Sequence, residues 1–473
     1  MERPPGVSRT LAAGATAGLR RPPVVLQPVL AKAGRPNVDL ARLAEVLRGV
    51  AEMRPAVSIQ SRTHWERTIA GADARTDGFL AVSIAAYPTE IWNADPAPLV
   101  ERGLPVLFWP ILPHDEPDLW RWSARDFLRA LGVKVHLVRH ERHGLALLRS
   151  LGVRRLLRGS RLVLFGEQNF PWNATAAGHL VTRALGTRLV VRPLEDLRAR
   201  YAGFGDDEID RVWTERAHRY TVGAVRPADL RQAVRTYLAI RAVLAAEHAL
   251  GFGVNCFGDL IVGGGRDVPC LAQTLLREDG YIAACDGDYL ALMSMVLATG
   301  LLDAPCLMSN LYPIAYAGAL TDHFGDPLAP DPARHPPETW RNLARLGHCG
   351  FVGVVSPEMD PSGRVPLHDW GGTYEIRRDG RGCGNAGELV PGPVTLLELD
   401  FAAETLLIGA AEVLETTHHA GLPHCEKTAL LRLRDLEGFV TNISREHPVV
   451  VYGEHAEDFA VLAEVLGLRA VVV

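Results

Sequence analysis

Short, mostly apolar runs alternate with amphipathic segments through the first third of the chain. The runs, whose length suits buried strands, stand at 24–29, 56–59, 78–83, 105–110 and 133–138. Candidate helices lie between them, for example at 39–50 and 118–131. This alternation is typical of a parallel sheet with helices on both faces. It predicts a first α/β domain over residues 23–150.

The same alternation starts again at residue 151. Predicted strands stand at 161–165 and 188–191, and predicted helices at 172–185, 193–201, 206–218 and 227–250. The pattern predicts a second doubly wound parallel-sheet domain over residues 151–250.

The pattern changes in the last part of the chain, residues 251–473. A buried strand at 281–284 is followed by a helix at 289–302, but from about residue 370 glycines separate short apolar runs such as 394–399 and 428–433. Such spacing favours an antiparallel β-barrel over about 365–435. The predicted fold class is therefore α/β, with two doubly wound parallel-sheet domains followed by a C-terminal domain that contains the barrel.

Composition and charge exclude several classes of protein. The 473 residues are 48% hydrophobic and 22% charged, with a net charge of −5, so we expect no nucleic-acid partner. The sequence contains no uncharged apolar stretch long enough to predict a membrane span. Residues 1–22 are expected to form a flexible leader. Seven cysteines without a CxxC pair favour reduced thiols and a cytoplasmic location.

The strongest chemical signal is Cys285-Asp286-Gly287-Asp288, at the carboxyl end of the strand predicted at 281–284. Ligands of open α/β sheets bind at this edge, and carboxylates suit a hard divalent cation. Asp288 equally suits the N-cap of the helix that begins at Tyr289. The spacing alone leaves both interpretations open.

Two histidines are further candidates for the same chemistry. His348 stands among small residues in Gly347-His348-Cys349-Gly350, and His447 stands just before the strand predicted at 449–452. An imidazole in either place suits a metal ligand or a catalytic group, and a structural histidine is the alternative.

Taken in order, several motifs after residue 250 resemble the L-fucose/L-arabinose isomerase family. They are Pro269-Cys270-Leu271, Asp279-Gly280, Cys285–Asp288, Ser309-Asn310, Gly347–Gly350, Gly392–Leu396 and His447–Gly453. Residues 23–249 resemble the family only as two sheet-containing domains of the right size. The resemblance implies aldose–ketose isomerisation through a cis-enediol(ate), dependent on Mn²⁺, with Mg²⁺ or Zn²⁺ as alternatives.

The resemblance also implies roles for particular residues. Asp288 and His447 would hold the metal, and His348 would lie near it. Asp286 or Asp259 would serve as the base. Where family members place an acidic ligand, this chain has Asn255-Cys256, so Cys256 or Asp259 is the candidate third ligand, and a Cys256 thiolate would favour Zn²⁺.

The expected partner is a small sugar. Its candidate binding residues are Gln168, Asn169, Trp65 and Tyr374, with Trp92 as a weaker one. The resemblance further implies a homo-oligomer, trimeric or hexameric, without a membrane partner. Two alternatives stay open. One is a lyase or epimerase that uses the same metal–enediolate chemistry, and the other is a non-catalytic sugar-binding or regulatory protein, which the non-acidic position at Cys256 supports.

Overall fold

The computed structural model describes residues 19, 21–31, 40–82, 94–109, 122–166, 174–256, 268–348, 364–369, 382–385, 387–419 and 427–473. These residues fall into two compact units, one over 21–156 and one over 157–473 together with Leu19. The predicted division into a leader, two α/β domains and a C-terminal domain stays a prediction.

The unit over 21–156 is built on a parallel sheet in the order β2-β1-β4-β5-β6, with β3 paired to the end of β1. Its strands are β1 (Val24–Ala31), β2 (Ala51–Met53), β3 (Val57–Ile59), β4 (Thr76–Ala81), β5 (Val106–Phe108) and β6 (Val135–Leu137). Its helices are α1 (Leu40–Val46), α2 (Arg62–Ala70), α3 (Ala97–Arg102), α4 (Trp122–Ala130) and α5 (Glu141–Leu157). Each of the five apolar runs overlaps a strand of this sheet, so the predicted parallel sheet is confirmed here.

A second parallel sheet, in the order β11-β10-β7-β8, lies in the unit over 157–473. Its strands are β7 (Arg161–Phe165), β8 (Arg188–Arg192), β10 (Gly251–Val254) and β11 (Ile282–Ala284). The neighbouring helices are α6 (Ala174–Leu185), α7 (Leu194–Arg198), α8 (Asp206–Arg216), α9 (Pro227–Glu247), α10 (Cys270–Glu278) and α11 (Tyr289–Leu302). Because β10 pairs with both β7 and β11, strands from before and after residue 250 share one sheet.

The remaining strands form a small sheet and a large one. The small sheet joins β9 (Tyr220–Val222), β15 (Val365–Asp369) and β16 (Cys383–Asn385). The large one runs in the order β12-β20-β17-β18-β19-β14-β13, with β21 added to β18. Its strands are β12 (Leu307–Met308), β13 (Asn310–Pro313), β14 (Leu343–Gly347), β17 (Gly392–Leu399), β18 (Thr405–His418), β19 (Lys427–Leu433), β20 (Val449–Tyr452) and β21 (Arg469–Val472).

The large sheet curls into a barrel-like shape. Only Ser309 separates β12 from β13, which lie at opposite ends of the strand order, so the two ends of the sheet meet. All pairings along this path are antiparallel, as predicted, and one face packs into an apolar core that includes Leu346, Leu396 and Val450. The sheet draws on residues 307–472 rather than on 365–435 alone, and β15 and β16 lie outside it.

Three helices accompany this sheet: α12 (Ala317–Phe324), α13 (Leu436–Asn442) and α14 (Ala456–Leu466). None of the helices in the described part of the chain combines the length and the hydropathy of a membrane span.

Candidate metal centre

The chain turns sharply after β11, where the acidic motif begins. Asp286 and Gly287 both adopt left-handed backbone conformations, with φ of 55° and 64°. Such a conformation costs about 1 kcal/mol or more in a residue with a Cβ, and aspartate is among the few residues that adopt it. The Gly287 N–H donates to the carbonyl of Val254, which ties the turn to the end of β10. The turn breaks the alternation of a strand, so Asp286 and Asp288 have different surroundings.

Asp286 lies beside two histidines from the barrel. Its Oδ2 is 3.7 Å from Nε2 of His348 and 3.6 Å from Nε2 of His447. One ligand atom from each of the three residues lies within 4.8 Å of the other two. The side chains of Asp286, His348 and His447 are 13%, 3% and 4% exposed, so the group is largely shielded from water.

The elements that carry these residues explain why they meet. Asp286 follows β11 of the parallel sheet, His348 follows β14, and His447 precedes β20. Met308 of β12 accepts a hydrogen bond from the N–H of Cys285 through its sulfur, and β12 pairs with β20. The barrel and the carboxyl edge of the parallel sheet are therefore joined where the three residues converge.

The charge of Asp286 is set by these neighbours. Burial by itself would raise the pKa of its carboxyl group. The nearby imidazoles of His348 and His447 outweigh burial and lower the pKa to about 2. Asp286 is consequently ionised across the physiological range.

Asp288 points elsewhere and is completely buried. Its Oδ1 accepts hydrogen bonds from the N–H groups of Leu290 and Ala291, both at 2.9 Å, so Asp288 is the N-cap of α11. Its Oδ2 lies 2.9 Å from Nδ1 of His447 and 3.1 Å from Nε of Arg445. Burial opposes ionisation, but the hydrogen bond from His447 and the charges of His447 and Arg445 lower the pKa of Asp288.

This contact determines how His447 presents its ring. A carboxylate only accepts hydrogen bonds, so Nδ1 of His447 carries the proton that is donated to Asp288. In the neutral ring, Nε2 then keeps its lone pair and faces Asp286. Histidines that bind metals are commonly held by a carboxylate in this way. The structure thus places Asp288 behind His447 rather than in the three-residue group.

Cys256 lies on the other side of Asp286. Its thiol donates to Oδ1 of Asp286 at 3.4 Å, and its sulfur accepts from the N–H of Asp286 at 3.5 Å. The structure brings Cys256 to the site that the sequence assigned to it. Its role as a third ligand stays a prediction, because the three ligand atoms that converge belong to Asp286, His348 and His447.

Residues 174–300 match the family model of the L-arabinose isomerase central domain.

The matched segment is about a quarter of the chain and extends from α6 to α11. It contains Cys256, Asp286 and Asp288, whereas His348 and His447 lie beyond its end. The match supports the resemblance to the arabinose and fucose isomerases. It lies in the middle of the chain, however, whereas the motifs that carry the resemblance in the sequence stand after residue 250. No curated protein matches the chain.

Of the other predicted site residues, the structure describes only Trp65. Asp259, Gln168, Asn169 and Tyr374, and the weaker candidate Trp92, lie outside the described residues. Trp65 is fully buried in the unit over 21–156, where its ring packs edge-on against Phe79 with ring centroids 4.8 Å apart. Its indole forms part of that unit's core and presents no surface to a sugar.

Sequence reasoning assigned no role to two charged residues near the centre. Arg445 is 6% exposed and pairs with Asp288, and Glu398 is 3% exposed and binds the backbone at Arg445. Both had a signal in the sequence. Arg445 stands two positions before His447, and Glu398 interrupts the otherwise uncharged run 394–399. A charged residue in a buried strand is rare unless it has a specific partner.

Proposed function

We propose that this chain is a divalent-metal-dependent aldose–ketose sugar isomerase. The observation that best supports the proposal is that Asp286, His348 and His447 converge at the carboxyl edge of the second parallel sheet. Strand β11 of that sheet lies in the matched segment. In open α/β sheets this edge is where ligands bind.

The donor set fits a divalent cation. It offers two imidazole nitrogens and one ionised carboxylate in largely buried positions, and the Asp288 contact orients one of the imidazoles. Imidazole suits Zn²⁺ and other transition ions, whereas Mg²⁺ prefers oxygen ligands alone. We propose Mn²⁺ as the cofactor, as the resemblance implies, and the two imidazoles place Zn²⁺ before Mg²⁺ as the alternative. Such a cation would stabilise the negative charge that develops on neighbouring sugar oxygens.

The remaining roles, those of the base and of the metal ligands, belong to the protein's own residues. Isomerisation moves a proton between C1 and C2, which needs a base whose pKa lies near the working pH. Asp286, with a pKa of about 2, is too weak a base for this step and is better suited to hold the cation. Asp259 remains the proposed base, and His348 and His447 complete the ligand set. We also propose a homo-oligomer, as the resemblance implies.

The metal content of the purified protein tests the proposal. We expect elemental analysis to find about one Mn or Zn per chain in the wild type and a strong loss in His447→Gln, since a metal ligand is removed. His455→Gln is the matched control. His455 contacts Asp458 and lies outside the cluster, so this variant should keep its metal.

Turnover is then measured with a panel of aldoses that includes L-arabinose and L-fucose. Ketose formation that depends on the bound metal supports the isomerase. A lyase or an epimerase would use the same ligands, and its products would be cleaved or epimeric sugars. A wild-type protein that binds none of Mn²⁺, Zn²⁺ or Mg²⁺ would refute the metalloenzyme proposal.

A second candidate is a non-catalytic sugar-binding protein. The observation in its favour is Cys256, which lies against Asp286 where the resembling family has an acidic residue. Among the described residues, the cluster contains a single carboxylate. Sugar binding by calorimetry without any turnover, in a protein loaded with metal, would favour this candidate.

A further inference from the structure

Glu398 is a buried acid at the end of an apolar strand. It lies in β17 and is 3% exposed. Its Oε1 accepts hydrogen bonds from the N–H of Ser444 at 2.6 Å and from the N–H of Arg445 at 2.8 Å. A buried carboxyl group that binds two backbone amides holds the chain segment to which they belong.

The segment that Glu398 holds leads directly into β20. The ladder between β17 and β20 extends to the pair Leu397–Val449, so Ser444 and Arg445 lie beyond it. The side chain of Glu398 therefore continues the attachment of this segment to β17 after the backbone pairing ends.

One residue that contacts Oδ2 of Asp288, Arg445, belongs to this segment, and the other, His447, follows it two positions later. Arg445 reaches it through Nε at 3.1 Å, and His447 reaches it through Nδ1 at 2.9 Å. Glu398 thus holds the backbone from which Arg445 extends, two residues before His447.

The same strand end is also fixed to the helix that Asp288 caps. The N–H of Leu399 donates to Oγ of Ser294, a buried residue of α11, at 2.9 Å. One end of β17 therefore sets the position of α11 on one side and of residues 444–445 on the other. Asp288 caps the helix at the first attachment, and His447 follows the segment at the second.

We propose that Glu398 is a positioning residue for His447, and that it acts by holding residues 444–445 so that the imidazole donates to Asp288 and presents Nε2 to Asp286. The proposal rests on the proposed function in so far as His447 holds the cation. The orientation of the ring itself does not depend on a bound metal.

The surroundings of Glu398 suggest a suitable substitution. Burial raises the pKa of this carboxyl group to about 8, although the two backbone N–H groups act against the rise. Glu398 is accordingly neutral at pH 7. Glutamine has the same charge and shape and keeps an acceptor oxygen for both amides, whereas leucine fills similar space without an acceptor.

Three variants distinguish a role of Glu398 in positioning His447 from a role in the stability of the fold. Glu398→Leu removes the acceptor, Glu398→Gln keeps it, and Thr395→Val is the matched control. Thr395 lies in the same strand, is 1% exposed, and binds the backbone of Gly453 and His455 at the other end of β20. Loss of the Thr395 hydroxyl should lower the melting temperature without changing the orientation of the His447 ring.

The first readout is Mn²⁺ affinity by titration calorimetry. We expect Glu398→Leu to bind Mn²⁺ about 10- to 100-fold more weakly than the wild type, as for other residues that orient a metal ligand. Glu398→Gln and Thr395→Val should bind it as the wild type does. Unchanged affinity in Glu398→Leu would overturn the proposal.

The second readout needs no metal. In protein labelled with ¹⁵N-histidine, the imidazole spectrum of the metal-free wild type and of Glu398→Gln should show His447 with its proton on Nδ1. Glu398→Leu should lose this tautomer, and the His447→Gln spectrum assigns the signal. If the wild type binds no metal, the proposed function fails, but the tautomer comparison still tests the role of Glu398: an unchanged tautomer in Glu398→Leu would refute it.

Discussion

Two aspartates two positions apart have different roles because one backbone turn separates them. Asp286 faces Nε2 of both histidines, while Asp288 caps α11 and holds Nδ1 of His447. The sequence left the N-cap and the ligand interpretations of Asp288 open, and the structure bears out the cap. Ionised Asp286 depends on His348 and His447 to offset the cost of burial, and ionised Asp288 depends on His447 and Arg445.

Glu398 should make stability depend on pH. Its folded-state pKa of about 8 lies above the ordinary value of 4.5, so between these values the folded protein binds more protons than the unfolded chain. The free energy of unfolding should therefore fall as the pH rises from about 4.5 to about 8. Chemical denaturation of the wild type and of Glu398→Gln across this range measures the effect.

The difference between the two proteins isolates this carboxyl group. Asp286 titrates at about 2 and contributes nothing to a change between pH 5 and 8. The stability of Glu398→Gln relative to the wild type should increase steadily over that interval. Parallel curves for the two proteins would contradict the prediction.

At the scale of elements, close packing of helices on strands shapes the barrel. In β18, a Cβ on Gly409 would lie 2.6 Å from a ring carbon of Phe439 in α13. Phe439 is completely buried in the barrel's apolar core. The absence of a side chain at Gly409 therefore allows α13 to approach the sheet.

Substitution of Gly409 by alanine should destabilise the protein by about 1–3 kcal/mol, because the ring must move within a packed core. Thermal or urea unfolding measures the change. Gly318→Ala is the control, since it lies in α12 with open space around its Cβ position and should be neutral or slightly stabilising. Equal effects of the two substitutions would show that packing at Gly409 is not tight.

At the scale of the whole molecule, the second parallel sheet joins segments that the sequence assigned to different domains. β10 pairs with β7 on one side and with β11 on the other, so residues 161–165 and 282–284 belong to one sheet. The sequence pattern cannot show this pairing, because a change in the pattern of apolar and polar residues along the chain does not reveal which strands pair.

Hydrogen exchange of the full chain tests this arrangement. The hydrogen-bonded amides of β7, β10 and β11 should share similarly high protection, since buried strands paired in one sheet open together. Mass spectrometry of peptic peptides measures the exchange of each strand. Strong protection of β7 beside rapid exchange of β10 and β11 would instead support a domain boundary near residue 250.

The sequence by itself determined many of the helices and strands, and the tertiary structure decided the site. Apolar runs and caps are local, so strands such as β7 and β20 and the helix α11 were predicted with the bounds that the structure has. The pairing of Asp288 with His447 joins residues 159 positions apart, and it depends on how the barrel meets the parallel sheet. Local spacing carries no information about such distant contacts, which explains why Arg445 and Glu398 received no role and why Asp288, rather than Asp286, was taken first as the ligand.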